Sequence, residues 1–367
     1  MPDIDEGSGN GAPPLRNPES KTQHIDVCLT PAVEYRKSAG FERWDFVNQA
    51  VPEVSLEDID LSLSFCGKEL KAPLMVAPMT GGVPRAHELN LRLAAAAQRF
   101  GLAMGVGSQR VGLEDPERAR MFAVRSVAPD ILLFANFGAA QLAAGWGVDH
   151  ARRAIDMIEA DALYLHFNPI QEAAQGGDVD FRGLIFKVKE LCAAMRAQGV
   201  PVFAREVGFG ISADAARALI DAGISGIDCA GAGGTSWAKV EGLCAKSERR
   251  RKLVLAFGEW GIPTAEAIVA VRSVSQRIPL IATGGLRSGL DLAKAIALGA
   301  DLGAMARPML VAAHAGEEAL AARIEDLLTE LRITMFGVGA SALDELRHSR
   351  TLRDVSHAAL PPSAPHA

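Results

Sequence analysis

Eight short apolar segments constrain the fold of this chain more than any other feature of its sequence. Each is too short for a helix and is apolar at consecutive positions, which is typical of parallel strands covered on both faces. Helical patterns separate them, as in AHELNLRLAAAAQRF, where Leu89, Leu93 and Ala97 share one face. Eight strand–helix units in one chain predict an α/β fold, a (β/α)8 (TIM) barrel. The segments are PLMVAP (73–78), GLAMGVG (101–107), ILLFAN (131–136), ALYLHF (162–167), PVFAREV (201–207), GISGIDCA (223–230), PLIATGG (279–285) and DLGAMAR (301–307).

The 367 residues are predicted to form one barrel domain over residues 21–350, since barrels of this type reach about 250 residues or more as one unit. Residues 21–72 precede the first strand and are expected to pack on the barrel as an N-terminal extension. Residues 231–277 insert further helix and loop between the sixth and seventh strands. Pro, Gly, Ser and Ala are frequent at both ends, so we expect a disordered tail at 1–20 and a flexible tail at 351–367.

Composition argues against several classes of protein. No apolar stretch is long enough to span a bilayer, and the N-terminus lacks the basic start and apolar run of a signal peptide. We therefore expect a cytoplasmic protein that does not bind membranes. Five cysteines form no CxxC pair and no metal-ligand spacing, which indicates reduced thiols. A net charge of −6 argues against nucleic-acid binding, although it allows a local basic pocket for a small anion.

The polar residues that follow the eight segments predict the position of the functional site. In a barrel of this kind, active sites lie at the carboxyl ends of the strands. Polar side chains and pairs of glycines gather there, whereas the strand bodies stay apolar. The strand ends read MTGG (79–82), GSQR (107–110), ANFG (135–138), HFNPIQE (166–172), REVGFG (205–210), GAGGTSW (231–237), TGGLRSG (283–289) and MARP (305–308).

The seventh strand end has the features of a phosphate site. Gly284 and Gly285 open a loop that contains Arg287 and Gly289 and leads into the helical segment LDLAKAIALG. Glycine lets backbone N–H groups approach an anion, and a helix N-terminus adds a favourable dipole. The loops after strands seven and eight are the usual phosphate site of this fold. A phosphate-bearing cofactor or substrate is therefore predicted here.

Two other patterns are less informative. GFGISA (208–213), with Asp228 twenty residues after its first glycine, matches a dinucleotide fingerprint, but a Rossmann domain would not place it fifth in a row of eight similar units. His166 is the histidine at a predicted strand end, and it can orient a ligand as well as transfer a proton. No G-x-S-x-G elbow occurs, so a hydrolase triad has no support.

The strand-end motifs together resemble the type II isopentenyl-diphosphate isomerases, which are FMN-dependent enzymes of isoprenoid synthesis. The resemblance covers about residues 20–345 and rests on seven ordered blocks. These blocks are MTGG, GVGSQR, HFNPIQEA, EVGFGIS, AGAGGTSWAKVE, WGIPTA and MARP. It implies the same barrel, a homo-oligomer, and a reaction that interconverts isopentenyl and dimethylallyl diphosphate without net redox change. Reduced FMN would act as the acid–base group, Mg²⁺ would bind the diphosphate, and NADPH would only reduce the flavin.

The resemblance also implies roles for individual residues. Gln171 and His166 are the candidate catalytic residues, and Glu172 is the candidate Mg²⁺ ligand. FMN would be held by Met79, Thr80, Gly81, Ser108, Asn136, Arg205, Thr235, Gly284, Gly285, Ala306 and Arg307. The substrate would be bound by Lys21, His24, Ser108, Gln109, Arg110, Asn168 and Gln171.

The sequence departs from the family pattern at four places. Ser20 replaces an arginine, Asn48 stands where a histidine is common, and Arg205 replaces a lysine that faces the flavin. The loop QGGDVDF also lacks the Pro-Glu usually found after its glutamine. We expect Ser20, Asn48 and this loop near the substrate. One alternative is therefore an FMN-binding protein with altered substrate or lost isomerase activity.

The other alternative is an FMN-dependent 2-hydroxy-acid oxidase. Such an enzyme needs a histidine base followed closely by an arginine after the later strands, and residues 255–277 contain no histidine.

The pair Gln171–Glu172 instead favours the isomerase. A nearly non-ionisable glutamine beside the alkene indicates that the acid and base belong to the cofactor. We expect the two side chains to diverge, Gln171 toward the flavin and Glu172 toward a metal-bound diphosphate.

Overall fold

The eight predicted segments form the strands of a closed, parallel eight-stranded barrel, which confirms the predicted fold class. The structure is a computed structural model that describes residues 18–356, with side chains described from Lys21 onward. Each strand pairs with the next along the chain, and the last pairs with the first. The strands are β1 (Leu74–Val76), β2 (Ala103–Gly105), β3 (Leu133–Gly138), β4 (Ala162–Phe167), β5 (Val202–Glu206), β6 (Gly226–Asp228), β7 (Leu280–Thr283) and β8 (Leu302–Met305).

Helices surround the barrel and cover its outer face. The first helix precedes the barrel. The helices between β6 and β7 lie in residues 231–277, the region predicted as an insertion. The helices are α1 (Pro18–Leu29), α2 (Pro84–Phe100), α3 (Arg110–Glu114), α4 (Pro116–Ala119), α5 (Ala139–Ala143), α6 (Val148–Ile158), α7 (Pro169–Gln175), α8 (Leu184–Arg196), α9 (Ala213–Asp221), α10 (Trp237–Cys244), α11 (Glu248–Leu255), α12 (Thr264–Val274), α13 (Gly289–Ala297), α14 (Arg307–Ala315), α15 (Glu317–Val338) and α16 (Leu343–Arg347). Short 3-10 turns lie at Pro31–Val33, Phe41–Arg43, Leu56–Asp58 and Arg120–Phe122.

Aromatic side chains fill the barrel interior. Phe134 stacks on Tyr164 with ring centroids 4.5 Å apart, and Phe203 meets Phe134 edge-on at 5.2 Å. A hairpin of strands Leu63–Phe65 and Lys68–Leu70 contributes Phe65 to the same cluster. The interior is therefore a packed core rather than a channel.

The N-terminal extension crosses the barrel mouth and is fastened to the loops after β5 and β6. The Tyr35 N–H donates to the Gly234 carbonyl at 2.9 Å, and the Tyr35 hydroxyl lies 2.9 Å from the Gly208 carbonyl oxygen. Glu34 and Thr235 form a bridge of β type. The extension thus covers part of the mouth, as expected.

The predicted tails lie largely outside the described residues, namely at 1–17 and 357–367. Helix α1 begins at Pro18, and a strand at Leu352–Asp354 pairs with Trp44–Phe46. Over residues 18–356, no helix has both the length and the apolar character needed to cross a membrane. The five cysteines form no disulfide.

Candidate active site

Two adjoining cavities open at the carboxyl ends of the strands. Cavity A lies beside α1, α7 and the β3 and β4 ends. Cavity B lies beside the β7 and β8 ends. Their common wall includes Met79, Arg205 and Trp237, so the two form one cleft divided by these side chains. A single elongated ligand, or two ligands in contact, can occupy it.

Most of the predicted site residues line this cleft. Cavity A is lined by Lys21, His24, Met79, Thr80, Ser108, Arg110, Asn136, His166, Asn168, Gln171, Glu172 and Arg205. Cavity B is lined by Met79, Arg205, Thr235, Gly284, Gly285, Ala306 and Arg307. The predicted substrate residues therefore gather in cavity A, and the predicted phosphate residues in cavity B.

Gln109 and Gly81 line neither cavity. The fully buried Gln109 side chain donates to the Ala154 carbonyl at 2.8 Å and accepts from the Asn136 N–H at 2.8 Å. A Cβ at residue 81 would lie 2.1 Å from the Phe122 ring. Both positions are therefore closed in by protein atoms, and direct contact of these two residues with ligands stays a prediction.

The departures from the family pattern are distributed differently from the expectation. Asn48 is exposed and lines neither cavity, so it lies outside the cleft where the substrate is expected. The Ser20 side chain lies outside the described residues. Arg205 and the QGGDVDF loop, by contrast, do adjoin the site.

His166 is held by Asn136 in one tautomer when neutral. The Asn136 amide nitrogen donates to the Val106 carbonyl at 3.0 Å, which leaves its oxygen to face His166 Nδ1 at 2.8 Å. Nδ1 must therefore carry a proton, and the neutral ring presents Nε2 as an acceptor. Gly138 pairs with His166 across the sheet, and a Cβ there would lie 2.9 Å from Nε2. The arrangement suits His166 to orient a ligand.

Gln171 and Glu172 share one hydrogen-bond donor. Asn168, which precedes α7, donates from its amide nitrogen to Gln171 Oε1 at 3.1 Å and to Glu172 Oε1 at 2.9 Å. All three side chains are buried. The two oxygens therefore both contact Asn168, and the direction of Gln171 toward the flavin and of Glu172 toward a metal-bound diphosphate stays a prediction.

Glu241 is a site residue that the sequence reasoning missed. Its carboxylate accepts from Gln171 Nε2 at 2.8 Å and lies 3.7 Å from His24 Nε2. Only 9% of the Glu241 side chain is exposed. Its signal was present in the motif TSWAKVE, because positions 237 and 241 share one face of α10 and Trp237 lines the cleft. An ionisable group is thus one hydrogen bond away from Gln171.

The glycines of the QGGDVDF loop make room for Glu172. Gly176 ends α7 with φ +73°, a left-handed conformation that favours glycine. At Gly177 a Cβ would lie 1.9 Å from Glu172 Oε2. The departure from the family pattern therefore has a physical consequence, since the loop closes directly on the candidate metal ligand.

A buried ion pair stands at the junction of the two cavities. The Arg205 guanidinium contacts the Asp228 carboxylate and lies 5.4 Å from the Tyr164 ring centroid. Burial raises the pKa of the Asp228 carboxyl, and the guanidinium opposes that effect. Since its partner fixes it, Arg205 presents a positive charge of defined position to both cavities.

The loop that matches the dinucleotide fingerprint serves the barrel instead. The Glu206 carboxylate accepts the N–H groups of Val207, Gly208 and Phe209, so these donors are turned inward. Burial raises the pKa of Glu206 to about 8, although these hydrogen bonds lower it. A Cβ at Gly208 would lie 2.8 Å from the Thr235 carbonyl oxygen. The glycine permits close chain packing, and the loop offers no phosphate cradle.

The double-glycine turn in cavity B requires glycine at both positions. Gly284 has φ +105° and Gly285 has φ +75°. A Cβ at 284 would lie 2.1 Å from the Gly231 carbonyl oxygen, and one at 285 would lie 2.7 Å from Ala39 Cβ. The turn is therefore pressed against the β6 loop and the N-terminal extension.

The helix dipole in cavity B comes from α14 rather than from α13, where it was expected. Ser288 and Asp291 form a capping box on α13, and the Gly289 N–H donates to Glu330. Within residues 18–356, no side chain caps α14, which begins at Arg307. The N–H groups at the start of α14 are therefore the ones a bound anion can use.

Buried polar atoms show that the cleft suits polar ligands. Thr80 Oγ1 and Asn168 Oδ1 are buried in the wall of cavity A and have no hydrogen-bond partner within the described part of the chain. Such atoms are costly unless a ligand or water satisfies them. Residues 18–356 contain no cluster of three or more His, Cys, Asp or Glu side chains able to hold a metal. A single protein carboxylate such as that of Glu172 suits a Mg²⁺ ion whose other ligands are phosphate oxygens and water.

Comparison with known proteins agrees with this geometry. The model of a family described as FMN-dependent dehydrogenase matches residues 25–123 and 174–353. A lactate oxidase of Pediococcus acidilactici superposes with a TM-score of 0.60 at 17% identity, covering 94% of this chain and 96% of that one. A flavocytochrome B2 mutant gives 0.64 at 16% identity, covering 93% and 86%. These structures share the fold.

Closer relatives define the family. An isopentenyl-diphosphate delta-isomerase of Nostoc sp. (strain PCC 7120 / SAG 25.82 / UTEX 2576) is 51% identical over 93% of this chain and 99% of its own length. That of Stutzerimonas stutzeri (strain A1501) is 48% identical over 91% and 96%. The class is thus that of the FMN-dependent dehydrogenase barrels. Within it, the chain belongs to the isopentenyl-diphosphate delta-isomerases.

The broad family match omits residues 124–173. This segment carries His166, Asn168, Gln171 and Glu172. The residues matched by the broad family model thus leave out a segment that forms one wall of cavity A.

Proposed function

We propose that this chain isomerises isopentenyl diphosphate to dimethylallyl diphosphate, with FMN in the cleft and the diphosphate in cavity A. One observation carries the proposal. Cavity A combines the basic side chains of Lys21, His24 and Arg110 with the pair Gln171 and Glu172, whose oxygens both accept from Asn168. This combination suits an anionic substrate whose reacting carbons carry no charge.

The residues present fit FMN along the length of the cleft. The glycine turn at Gly284–Gly285 and the uncapped start of α14 would hold the phosphate in cavity B. The hydroxyl of Thr80 would donate to or accept from the ring system, and the Arg205 guanidinium would stabilise negative charge on a reduced flavin. When bound and reduced, FMN supplies the acid–base group of the reaction.

The substrate diphosphate would lie against Lys21, His24 and Arg110. Arg110 is oriented by Glu114, whose carboxylate accepts from Arg110 Nε at 2.9 Å. The Glu172 carboxylate would hold Mg²⁺, which when bound would supply positive charge to the diphosphate.

The polar wall of cavity A would position the alkene beside the neutral amide of Gln171. Gln171 is held at both ends, through Asn168 at its oxygen and Glu241 at its nitrogen. It therefore presents a fixed, neutral amide to the alkene. Proton addition to one carbon and proton loss from another pass through a carbocation-like species, and a dipole so fixed needs no reorganisation as that charge develops.

Other features carry over from the family resemblance. We expect NADPH to serve only as the flavin reductant, the protein to be cytoplasmic, and the chain to assemble as a homo-oligomer. The partners would be small-molecule diphosphates rather than nucleic acids or membranes.

The test is an anaerobic incubation of the purified protein with FMN, NADPH, Mg²⁺ and isopentenyl diphosphate. Dimethylallyl diphosphate should accumulate, and omission of NADPH should abolish it. If FMN binds but neither product nor a diphosphate-dependent change in the flavin spectrum appears, the chain is a flavin-binding protein that has lost the activity. Failure to bind FMN would refute the proposal altogether.

A further inference from the structure

Cavity B contains a carboxylate among the groups expected to hold a phosphate. Glu34, on the N-terminal extension, accepts from Arg287 at 2.7 Å through one oxygen and from Arg307 at 2.5 Å through the other. All three residues line cavity B. An acidic side chain therefore lies between two guanidinium groups at the place where a cofactor phosphate is expected.

The two arginines differ in how firmly they are held. Arg307 also donates to the carbonyl of Cys28 at 2.8 Å and to that of Leu29 at 3.4 Å, which ties it to the end of α1. Only 18% of its side chain is exposed. Arg307 thus fastens the helix that brings Lys21 and His24 to cavity A.

Arg287 is held much less firmly. Its side chain is 49% exposed and makes, besides the contact with Glu34, a 3.4 Å contact with the Gly285 carbonyl. Its guanidinium can therefore change partners at small cost, whereas that of Arg307 cannot.

We infer that Glu34 is an internal competitor of the cofactor phosphate and sets the affinity of cavity B for anions. A phosphate in cavity B would take over the Arg287 guanidinium, while Glu34 would keep Arg307 and so keep α1 in place. The Glu34 charge would also repel the phosphate. The inference rests on the proposed function, because it assigns the phosphate of FMN to cavity B.

The test compares the wild-type chain with Glu34→Gln. The apoprotein is titrated with FMN and with riboflavin, which lacks the phosphate, and binding is followed by flavin fluorescence. We expect the Kd for FMN to fall about fivefold in Glu34→Gln, the usual upper size of a partly exposed ion-pair effect. The Kd for riboflavin should not change. Glu42→Gln is the matched control, since Glu42 lies on the same extension and contacts Ser38 instead.

Two results would overturn the inference. An unchanged FMN affinity would mean that Glu34 does not compete, and equal weakening of both flavins would mean that Glu34 only supports the extension. Inorganic phosphate separates this inference from the proposed function, since its binding to the apoprotein can be measured by thermal shift without flavin. If the wild type fails to bind FMN, the proposed function fails, yet phosphate must still stabilise Glu34→Gln more than wild type. Equal stabilisation would refute the role of Glu34.

Discussion

Gly177 offers the sharpest test of the site, because its missing side chain is what lets Glu172 occupy its observed position. A Cβ at residue 177 would lie 1.9 Å from Glu172 Oε2, and ordinary contact begins at about 3.4 Å, so the carboxylate must move by roughly 1.5 Å. The backbone of Gly177 is not left-handed, so Gly177→Ala places no conformational strain on the chain. The fold should survive, and the carboxylate should be displaced.

The cost follows from the contacts that Glu172 would lose. Its 2.9 Å hydrogen bond from Asn168 involves a charged acceptor, and losing such a bond costs about 1–3 kcal/mol. We therefore expect Gly177→Ala to raise the KM for isopentenyl diphosphate by about 10- to 100-fold and to raise the Mg²⁺ concentration needed for half-maximal rate. FMN affinity should not change.

The measurement is the KM over a range of Mg²⁺ concentrations, together with an FMN titration. Gly337→Ala is the matched control, because no atom of the described part of the chain lies within 4 Å of a Cβ placed there. In a Glu172→Gln variant, the additional change Gly177→Ala should alter the KM and its Mg²⁺ dependence little further, since both substitutions act on one interaction. A normal Mg²⁺ dependence in Gly177→Ala would refute the assignment of Glu172, and equal loss of FMN binding would indicate unfolding rather than displacement.

Three further outcomes are expected. Gln171→Ala should keep FMN binding but lower kcat by about 10²-fold, because a fixed amide is lost beside the alkene. An unchanged kcat would show that Gln171 has no part in the reaction. Gly226→Ala should lower stability by at least about 1–3 kcal/mol, measured by urea unfolding, since its Cβ would lie 2.1 Å from the Phe203 ring in a closed interior. Burial raises the pKa of Glu259, but the Lys239 ammonium and two backbone N–H groups lower it to about 2. That ion pair stabilises the fold above about pH 4.5 and is lost as pH falls toward 2, so Glu259→Gln should flatten the acid side of a Tm–pH profile; parallel profiles would contradict this.

The barrel could be predicted from the sequence because its strands are buried on both faces. Continuous apolar runs such as 162–167 have few alternatives to a covered parallel strand, and that run coincides with β4. The strand limits were less predictable. The run at 131–136 became β3 at Leu133–Gly138, because pairing with β4 continues as far as His166 and draws Gly138 into the ladder.

The position of the site was also predictable, whereas the direction of individual side chains was not. Ser108 lines cavity A, while the neighbouring Gln109, which directly precedes α3, turns into the protein. Local sequence does not decide which of the two faces the ligand. That choice depends on the backbone of Asn136, to which Gln109 binds.

Glu241 and Gly177 illustrate what a single sequence conceals. Glu241 lies on α10, seventy residues after Gln171, and only the packing of α10 against α7 brings the two together. In the sequence, Gly177 looks like an ordinary loop glycine, because its closeness to Glu172 is visible only in the folded structure. Contacts of both kinds are set by tertiary packing rather than by local pattern.

The central claim is that the chain moves a double bond with a flavin that is reduced once and is not consumed. The most direct measurement is the ratio of dimethylallyl diphosphate formed to NADPH oxidised, under anaerobic conditions with isopentenyl diphosphate in excess. The proposed mechanism requires many product molecules per NADPH and a flavin spectrum that stays reduced throughout. One product per NADPH, or a flavin that becomes oxidised as product forms, would contradict it.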